Sequence, residues 1–487
     1  MEYHAVHSSS DDFCLEATLF TTARQFPLVL IATCFLAVTV HEGSFRASSD
    51  TQPSATWLEE YREPASRIIG EALSDTFAYR RLAELGDTFG HRLSGSPQLE
   101  RAIQWAADQM RIDGLESVRL EPVMVPHWVR GHERVTIVRP EPQDLVMLGL
   151  GGSIGTPPEG IEAPTIVVNS FDELDALSQE VEGKIVVYNV PFTNYGQTVR
   201  YRTTGASRAA RHGAVAALVR SVGPTGFRTP HTGNMGYTER DPKIPVAAIT
   251  AEDAELLQRL QDKNMPAVVN LMMEAQTLPD AESANVIAEI RGRELPDEFV
   301  VIGGHIDSWD VGTGSTDDGG GSIATWDALR IIKRLNLRPR RTLRVVLWTN
   351  EENGFRGALA YRDRYREALP NHVMMLESDS GVFEPRGFGF TGSERARTTV
   401  TEIASLLQGV GASWIGPNGG GADIGPSVRA ANIPAMSLAV DESRYFSIHH
   451  TPADTIDKID PTDLARNVAA IAVMAYVVAD MPTRLGK

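Results

Sequence analysis

The chain has 487 residues, 42% hydrophobic and 22% charged, and its 46 Lys+Arg against 63 Asp+Glu give a formal net charge of −17. That length exceeds the usual single unit of ~100–200 residues and asks for two domains or one large domain with an insertion. The composition excludes a mainly disordered, collagen-like or polytopic membrane protein, and the acidic balance lacks the basic footprint of a nucleic-acid binder.

Phe26–Val40 (FPLVLIATCFLAVTV) is an apolar run preceded by Arg24. It is shorter than the ~20 residues of a spanning helix and suits the core of an export signal, cleaved or kept as a membrane tether. Residues 1–50 are therefore assigned to export, with a buried apolar segment as the alternative. The two cysteines, Cys14 and Cys34, both fall in this stretch, so a CxxC zinc site and a disulfide scaffold are excluded. Residues 56–116 read as helical, with helical spacing over 71–86 and 100–114 and the loop GHRLSGSP between. From Ser117, VRLEPVMVPHW and ERVTIVRP alternate as strands do.

Residues 140–280 change character. The short runs DLVMLGL, APTIVVN, GKIVVYNVP and IPVAAIT surround one small-residue helix over 205–217. This predicts a β-rich unit inserted into a larger domain made of 56–135 and 281–487. From Asn285 strands alternate with helices: NVIAEI, FVVIGGH, a helix over 322–335, the apolar TLRVVLWTN, a helix over 399–407, and a last helix opened by Asp460-Pro461 and running to about Val478. The pattern predicts an α/β fold, a mostly parallel or mixed sheet covered by helices on both faces.

Five clusters stand out, the first four at predicted strand ends or in the loops after them, where open α/β sheets build their sites, and the fifth near the C-terminus. They are Gly304-His305-Ile306-Asp307-Ser308, Gly314-Ser315-Thr316-Asp317-Asp318-Gly319-Gly320-Gly321, Asn350-Glu351-Glu352-Asn353-Gly354, Glu377-Ser378-Asp379-Ser380-Gly381 and His449-His450-Thr451-Pro452-Ala453-Asp454-Thr455. Taken singly, each has a structural reading: a satisfied histidine, a turn, two solvated glutamates. Adjacent carboxylates such as Asp317 and Asp318 repel unless a cation sits beside them. Imidazoles and carboxylates without thiolate suit Zn²⁺ in an open catalytic site, with Mn²⁺ or Co²⁺ as alternatives. Carboxylates outnumber histidines, so two metal sites need a shared carboxylate. Glu351 and Glu352 at one strand end are expected to point to opposite sides and to do different jobs.

In order and spacing the clusters resemble the co-catalytic zinc exopeptidases of metallopeptidase family 28, and GGHIDSWDVG with DDGGG resembles its plasma glutamate carboxypeptidase (carboxypeptidase Q) branch. The resemblance covers roughly residues 60–480. It implies two Zn²⁺ per chain, one on His305, Asp317 and Asp379, the other on the same bridging Asp317 with Glu352 and His450. His450 is preferred to His449 because HTPADT matches the family's ending. The resemblance gives Glu351 the role of general base and Asp307 that of the carboxylate orienting His305, and it implies a cis bond between Asp317 and Asp318. Residues 140–280 resemble a protease-associated domain. The implied substrates are dipeptides or the N-termini of small peptides, and relatives of this branch are often homodimers. Gly420-Gly421-Ala422-Asp423 departs from the family's usual Ser before Asp and leaves the role of Asp423 open.

Three other readings are weighed. Gly151-Gly152-Ser153-Ile154-Gly155 fits G-x-S-x-G, but Thr156-Pro157-Pro158 cannot start the helix that a nucleophile elbow requires. The glycine-rich stretch 312–321 lacks a Walker lysine. A catalytically inactive, receptor-like member of the same fold would have lost ligands that are present here.

Overall fold

The computed structural model describes residues 56–224 and 226–486; the apolar run 26–40 and both cysteines lie outside the described residues. Three helices come first, Glu59–Ser74, Phe77–Phe89 and Pro97–Ile112. The single helix expected over 71–86 is two, because Asp75 turns its carboxylate back to accept the Phe77 amide at 2.9 Å and restarts the chain. Ser96 caps the third helix by accepting the Leu99 amide at 3.2 Å, with Pro97 at its first position.

Sixteen strands follow in chain order. They are β1 (Glu116–Val129), β2 (Glu133–Arg139), β3 (Gln143–Leu145), β4 (Met147–Gly149), β5 (Ile161–Val168), β6 (Ile185–Tyr188), β7 (Ala216–Arg220), β8 (Val246–Ile249), β9 (Val268–Met273), β10 (Gln276–Ile290), β11 (Leu295–His305), β12 (Arg341–Trp348), β13 (His372–Glu377), β14 (Pro385–Thr391), β15 (Trp414–Gly416) and β16 (Ala435–Val440). The first sheet has the order β1-β10-β12-β11-β13-β16-β14-β15. Its centre, β12-β11-β13-β16, is parallel and its flanks are largely antiparallel, so the sheet is mixed.

Alternate residues of the central strands face two separate cores. Val300, Ile302, Leu343 and Val345 pack with Ile68, Leu82, Ile323 and Val468 of the helices on one face. Val301, Val346 and Trp348 pack with Tyr361 and Ile424 on the other. Burial on both faces is why β12 is apolar along most of its length. Each such aliphatic side chain contributes about 1.5–3 kcal/mol on leaving water. The last helix, Pro461–Asp480, is long and apolar enough to cross a membrane, yet it is mostly buried against Glu59–Ser74 and Gly320–Arg334.

The second sheet has the order β3-β2-β9-β5-β6-β7-β8-β4. Two of its features differ from expectation. It is not simply β-rich: β5-β6-β7-β8 is a parallel core covered by the helices Tyr195–Arg211 and Ala251–Asp262. The helix expected over 205–217 spans Tyr195–Arg211 instead, stops before Gly213 (φ +83°), and gives way to β7. Its buried face begins with Thr198, Tyr201 and Arg202, ahead of the expected start, and continues through Gly205, Ala206, Ser207, Ala209 and Ala210. Strand β2 lies before residue 140 but pairs with β9, with Val135 and Ile137 turned into the second core. The chain enters and leaves this unit through the antiparallel pair β1 and β10.

Candidate metal centre

The five clusters converge at the carboxyl ends of the parallel strands. His305 ends β11, Asp379 lies two residues beyond β13, and Glu351 and Glu352 lie in the turn after β12. Asp317 precedes the helix Gly320–Arg334, and His449-His450 follow the short helix Tyr445–Ile448. Gly321 allows the second cluster to tuck in, since a Cβ there would overlap the Ser378 carbonyl oxygen.

Asp317 is central. Its Oδ1 lies 3.2 Å from His305 Nε2, and its Oδ2 lies 3.2 Å from His450 Nε2 and 3.4 Å from His449 Nε2. His305 Nε2 is also 3.5 Å from Asp379 Oδ1 and 4.0 Å from Glu351 Oε2. His450 Nε2 is 3.0 Å from Glu352 Oε2. Glu352 keeps its other oxygen for the Trp309 amide at 3.2 Å. The His449 and His450 rings stack at 3.5 Å.

A ring of backbone contacts sets these positions. The Asp454 carboxylate accepts the amides of Thr316 and Asp317 at 2.6 and 3.0 Å. Asp307 accepts the amides of Glu351 and Glu352 at 3.1 and 3.3 Å. His305 Nδ1 donates to the carbonyl of Asp307 at 3.0 Å, with that residue's carboxylate farther away at 3.7 Å. Asp307 thus orients His305 chiefly through its backbone, and spends its side chain on the glutamate turn. Asp318 accepts the His305 and Gly321 amides, both at 3.0 Å, and the Asp317–Asp318 peptide bond is cis. The opposite-sides argument for Glu351 and Glu352 does not hold, because a turn rather than a strand carries them; both enter the same cluster.

Arg92, in the loop GHRLSGSP, was not singled out from the sequence. Its guanidinium is fully buried and donates to the carbonyls of Ile306, Gly90, Thr313 and Gly314 at 2.7, 2.9, 2.6 and 3.1 Å. It ties the His305 and Asp317 loops together from below. Burial pulls its pKa down to about 10, against the pull of Asp454 and Asp307.

The electrostatics call for cations. Burial pushes Asp317 up, but its contacts with His305 and His450 outweigh it and hold the carboxyl well below the usual range. Burial disfavours a charged His450, yet Glu352 and Asp317 raise it to about 10. Glu352 is pushed up to about 7, by burial first and then by Asp317. A metal ion held among these groups would balance the carboxylates. Asp317 Oδ2 is buried with no hydrogen-bond partner, an orphan acceptor aimed between two imidazoles. An oxygen and nitrogen set without sulfur suits zinc. Among the described residues, the groups able to hold a metal ion are Asp317-His449-His450, His305-Asp318-Asp379 and His305-Asp317-Glu352.

Other candidates fall away or stay apart. Ser153 is buried, donates to the Ile154 carbonyl at 2.9 Å and accepts the Val246 amide at 2.9 Å, so its hydroxyl is structural. Asp423 is buried beside Glu377, and burial followed by that carboxylate raises its pKa well above the usual range.

The profile of peptidase family M28 matches residues 285–475, and that of the PA domain matches residues 144–257. The chain is 48% identical to human carboxypeptidase Q over 408 residues, covering 84% of this chain and 86% of the human one. The chain belongs to peptidase family M28. Among solved structures it is similar to a peptidase M28 precursor from Shewanella amazonensis, with a TM-score of 0.85 and 35% identity over 88% of this chain and 98% of that one. It shares its fold with a zinc aminopeptidase from Bacillus subtilis, with a TM-score of 0.64 and 19% identity over 83% of this chain and 94% of that one. This M28 chain is a zinc-dependent exopeptidase. A cavity of about 720 Å³ opens over the metal centre. Asp317, Glu351, Asp379 and His450 line one side, and Tyr195, Asn234 and Tyr237 of the PA unit line the other.

Proposed function

We propose that His305, Asp317 and Asp379 hold one zinc ion, that Asp317, Glu352 and His450 hold the second, and that Glu351 is the general base. The observation that carries this reading is the split of Asp317, one oxygen toward His305 and the other toward His450, each at 3.2 Å. His450 is preferred to His449 because it alone of the pair also meets Glu352. When bound, the zinc ions polarise the scissile carbonyl and make an attacking water acidic. Glu351, aimed into the cavity beside His305, takes the proton of that water and returns it to the leaving amine. Asp307 holds the base in place through the backbone of its turn.

The substrates are dipeptides or the N-terminal residues of small unblocked peptides. The PA unit closes one side of the cavity, which favours small substrates over folded protein. We assign the peptidase domain to 56–135 with 281–487 and the PA unit to about 140–280, with β2 joining the latter. The run 26–40 supports export, with a membrane tether where the signal is retained. A homodimer completes the reading; the mass in solution checks it. The deciding experiment is hydrolysis of a panel of dipeptides and aminoacyl anilides, with and without chelator and with zinc added back. Cleavage that chelator abolishes and zinc restores supports the reading. Efficient internal cleavage of casein overturns the exopeptidase assignment.

A further inference from the structure

His231 and Thr232 lie between β7 and β8, in the PA unit rather than in the sheet that carries the metal centre. They nevertheless grip the segment His449-His450 at three points. The Thr232 amide donates to the His450 carbonyl at 3.0 Å. His231 Nδ1 lies 2.9 Å from the His449 carbonyl; a carbonyl only accepts, so Nδ1 carries the hydrogen and donates. His450 Nδ1 faces the Thr232 carbonyl at 3.3 Å and the Arg202 guanidinium of the same unit at 3.4 Å, while its Nε2 points to Asp317 and Glu352.

The grip is itself anchored within the PA unit. The His231 amide donates to Ser221 Oγ at 3.0 Å, and the Thr232 hydroxyl donates to the Gly149 carbonyl at 2.8 Å. Both residues are buried, at 3% and 0% exposure. His305, by contrast, takes its outer partner from Asp307, inside the peptidase sheet's own loops.

We propose that the PA unit is a constituent of the metal centre: its His231–Thr232 loop positions His450 and sets the zinc affinity of that site alone. This rests on the reading of His450 as a zinc ligand. Outer partners of metal-bound histidines typically account for 10–100-fold in affinity, because they fix tautomer and ring orientation. The asymmetry between His305 and His450 makes the effect selective for one ion of the two.

The test uses the full chain and measures zinc directly, by competition with a chromophoric chelator and by elemental analysis, with far-UV circular dichroism as a check on folding. Three variants are compared: His231→Leu, His231→Gln and His450→Ala. The expected result is that His231→Leu weakens one zinc by about 10–100-fold and leaves the other as in the parent. His231→Gln, whose side-chain N–H reaches toward the same carbonyl, recovers most of the loss. His450→Ala releases the same zinc. Unchanged zinc in His231→Leu, or equal weakening of both ions, overturns the proposal. Retention of both zincs by His450→Ala overturns the ligand reading beneath it instead. Should His231→Leu fail to fold, Ser221→Ala loosens the loop without touching a ligand contact; it is expected to weaken the same ion by a smaller factor, and unchanged zinc there overturns the proposal equally.

Discussion

Asp307 holds Glu351 by its backbone: the aspartate Oδ1 accepts the glutamate amide at 3.1 Å. The side chain of Glu351 is left free to face the cavity and His305. As the proposed base, so mounted, it would contribute chemistry without supporting the metal. Glu351→Gln is therefore expected to keep both zincs and its KM, and to lose roughly 10²–10⁴-fold in kcat. Steady-state kinetics with elemental analysis check this; a metal-depleted Glu351→Gln contradicts it.

Glu352 behaves differently. It meets His450 at 3.0 Å and anchors the Trp309 amide at 3.2 Å. Glu352→Gln is expected to weaken zinc binding, and added zinc should restore part of the activity. A fully loaded Glu352→Gln protein would reverse the two assignments.

Asp317 serves both histidines. Asp317→Ala is expected to release both ions, because each site loses an oxygen donor at once. One full-occupancy zinc remaining in the variant speaks against a bridging role.

Arg92 is fully buried and donates to four backbone carbonyls. Arg92→Met leaves those acceptors unpaired and is expected to destabilise the protein by about 3–5 kcal/mol. Denaturant unfolding with unchanged m-value measures this. A loss under about 1 kcal/mol would show that the loops hold themselves.

His372 begins β13, at the end of the strand away from the proposed ligand Asp379. It is buried, and burial lowers its pKa to about 4 while Tyr361 and the Ala368 carbonyl satisfy its ring at 2.8 and 3.0 Å. An unfolded histidine titrates near ~6.5. As pH falls from about 6.5 to about 4, the unfolded chain takes up a proton that the folded chain refuses. Stability is full above that window and declines within it, by up to about 3 kcal/mol from this group. His372→Gln should flatten the acid limb of the stability curve. An unaltered limb places the titration elsewhere.

The clusters that make up the proposed metal centre were legible because most of them are short and placed at strand ends, and a strand end is visible in sequence as an apolar run that stops. TLRVVLWT followed by Asn350-Glu351-Glu352 is such a place. Arg92, His231 and Thr232 were not legible because their partners are backbone carbonyls and amides of remote segments, which leave no residue-type signature. The first half of the helix Tyr195–Arg211 was not legible because its inward face mixes Thr198 and Arg202 with Tyr201 and leaves little apolar period. Asp307 is two residues from His305 in the sequence, but that its carboxylate serves the glutamate turn depends on a fold contact across 44 residues.

The position of the last helix has a consequence for biosynthesis. Pro461–Asp480 packs against the first helix, Glu59–Ser74, and fills the core beneath the parallel strands. A nascent chain stopped short of residue 461 would contain every proposed ligand and still lack the wall against which their strands settle. The hydrolytic centre therefore cannot mature while residues 461–480 remain inside the ribosome tunnel or a translocation channel. A peptidase with this layout has no settled hydrolytic centre until that helix has emerged and packed.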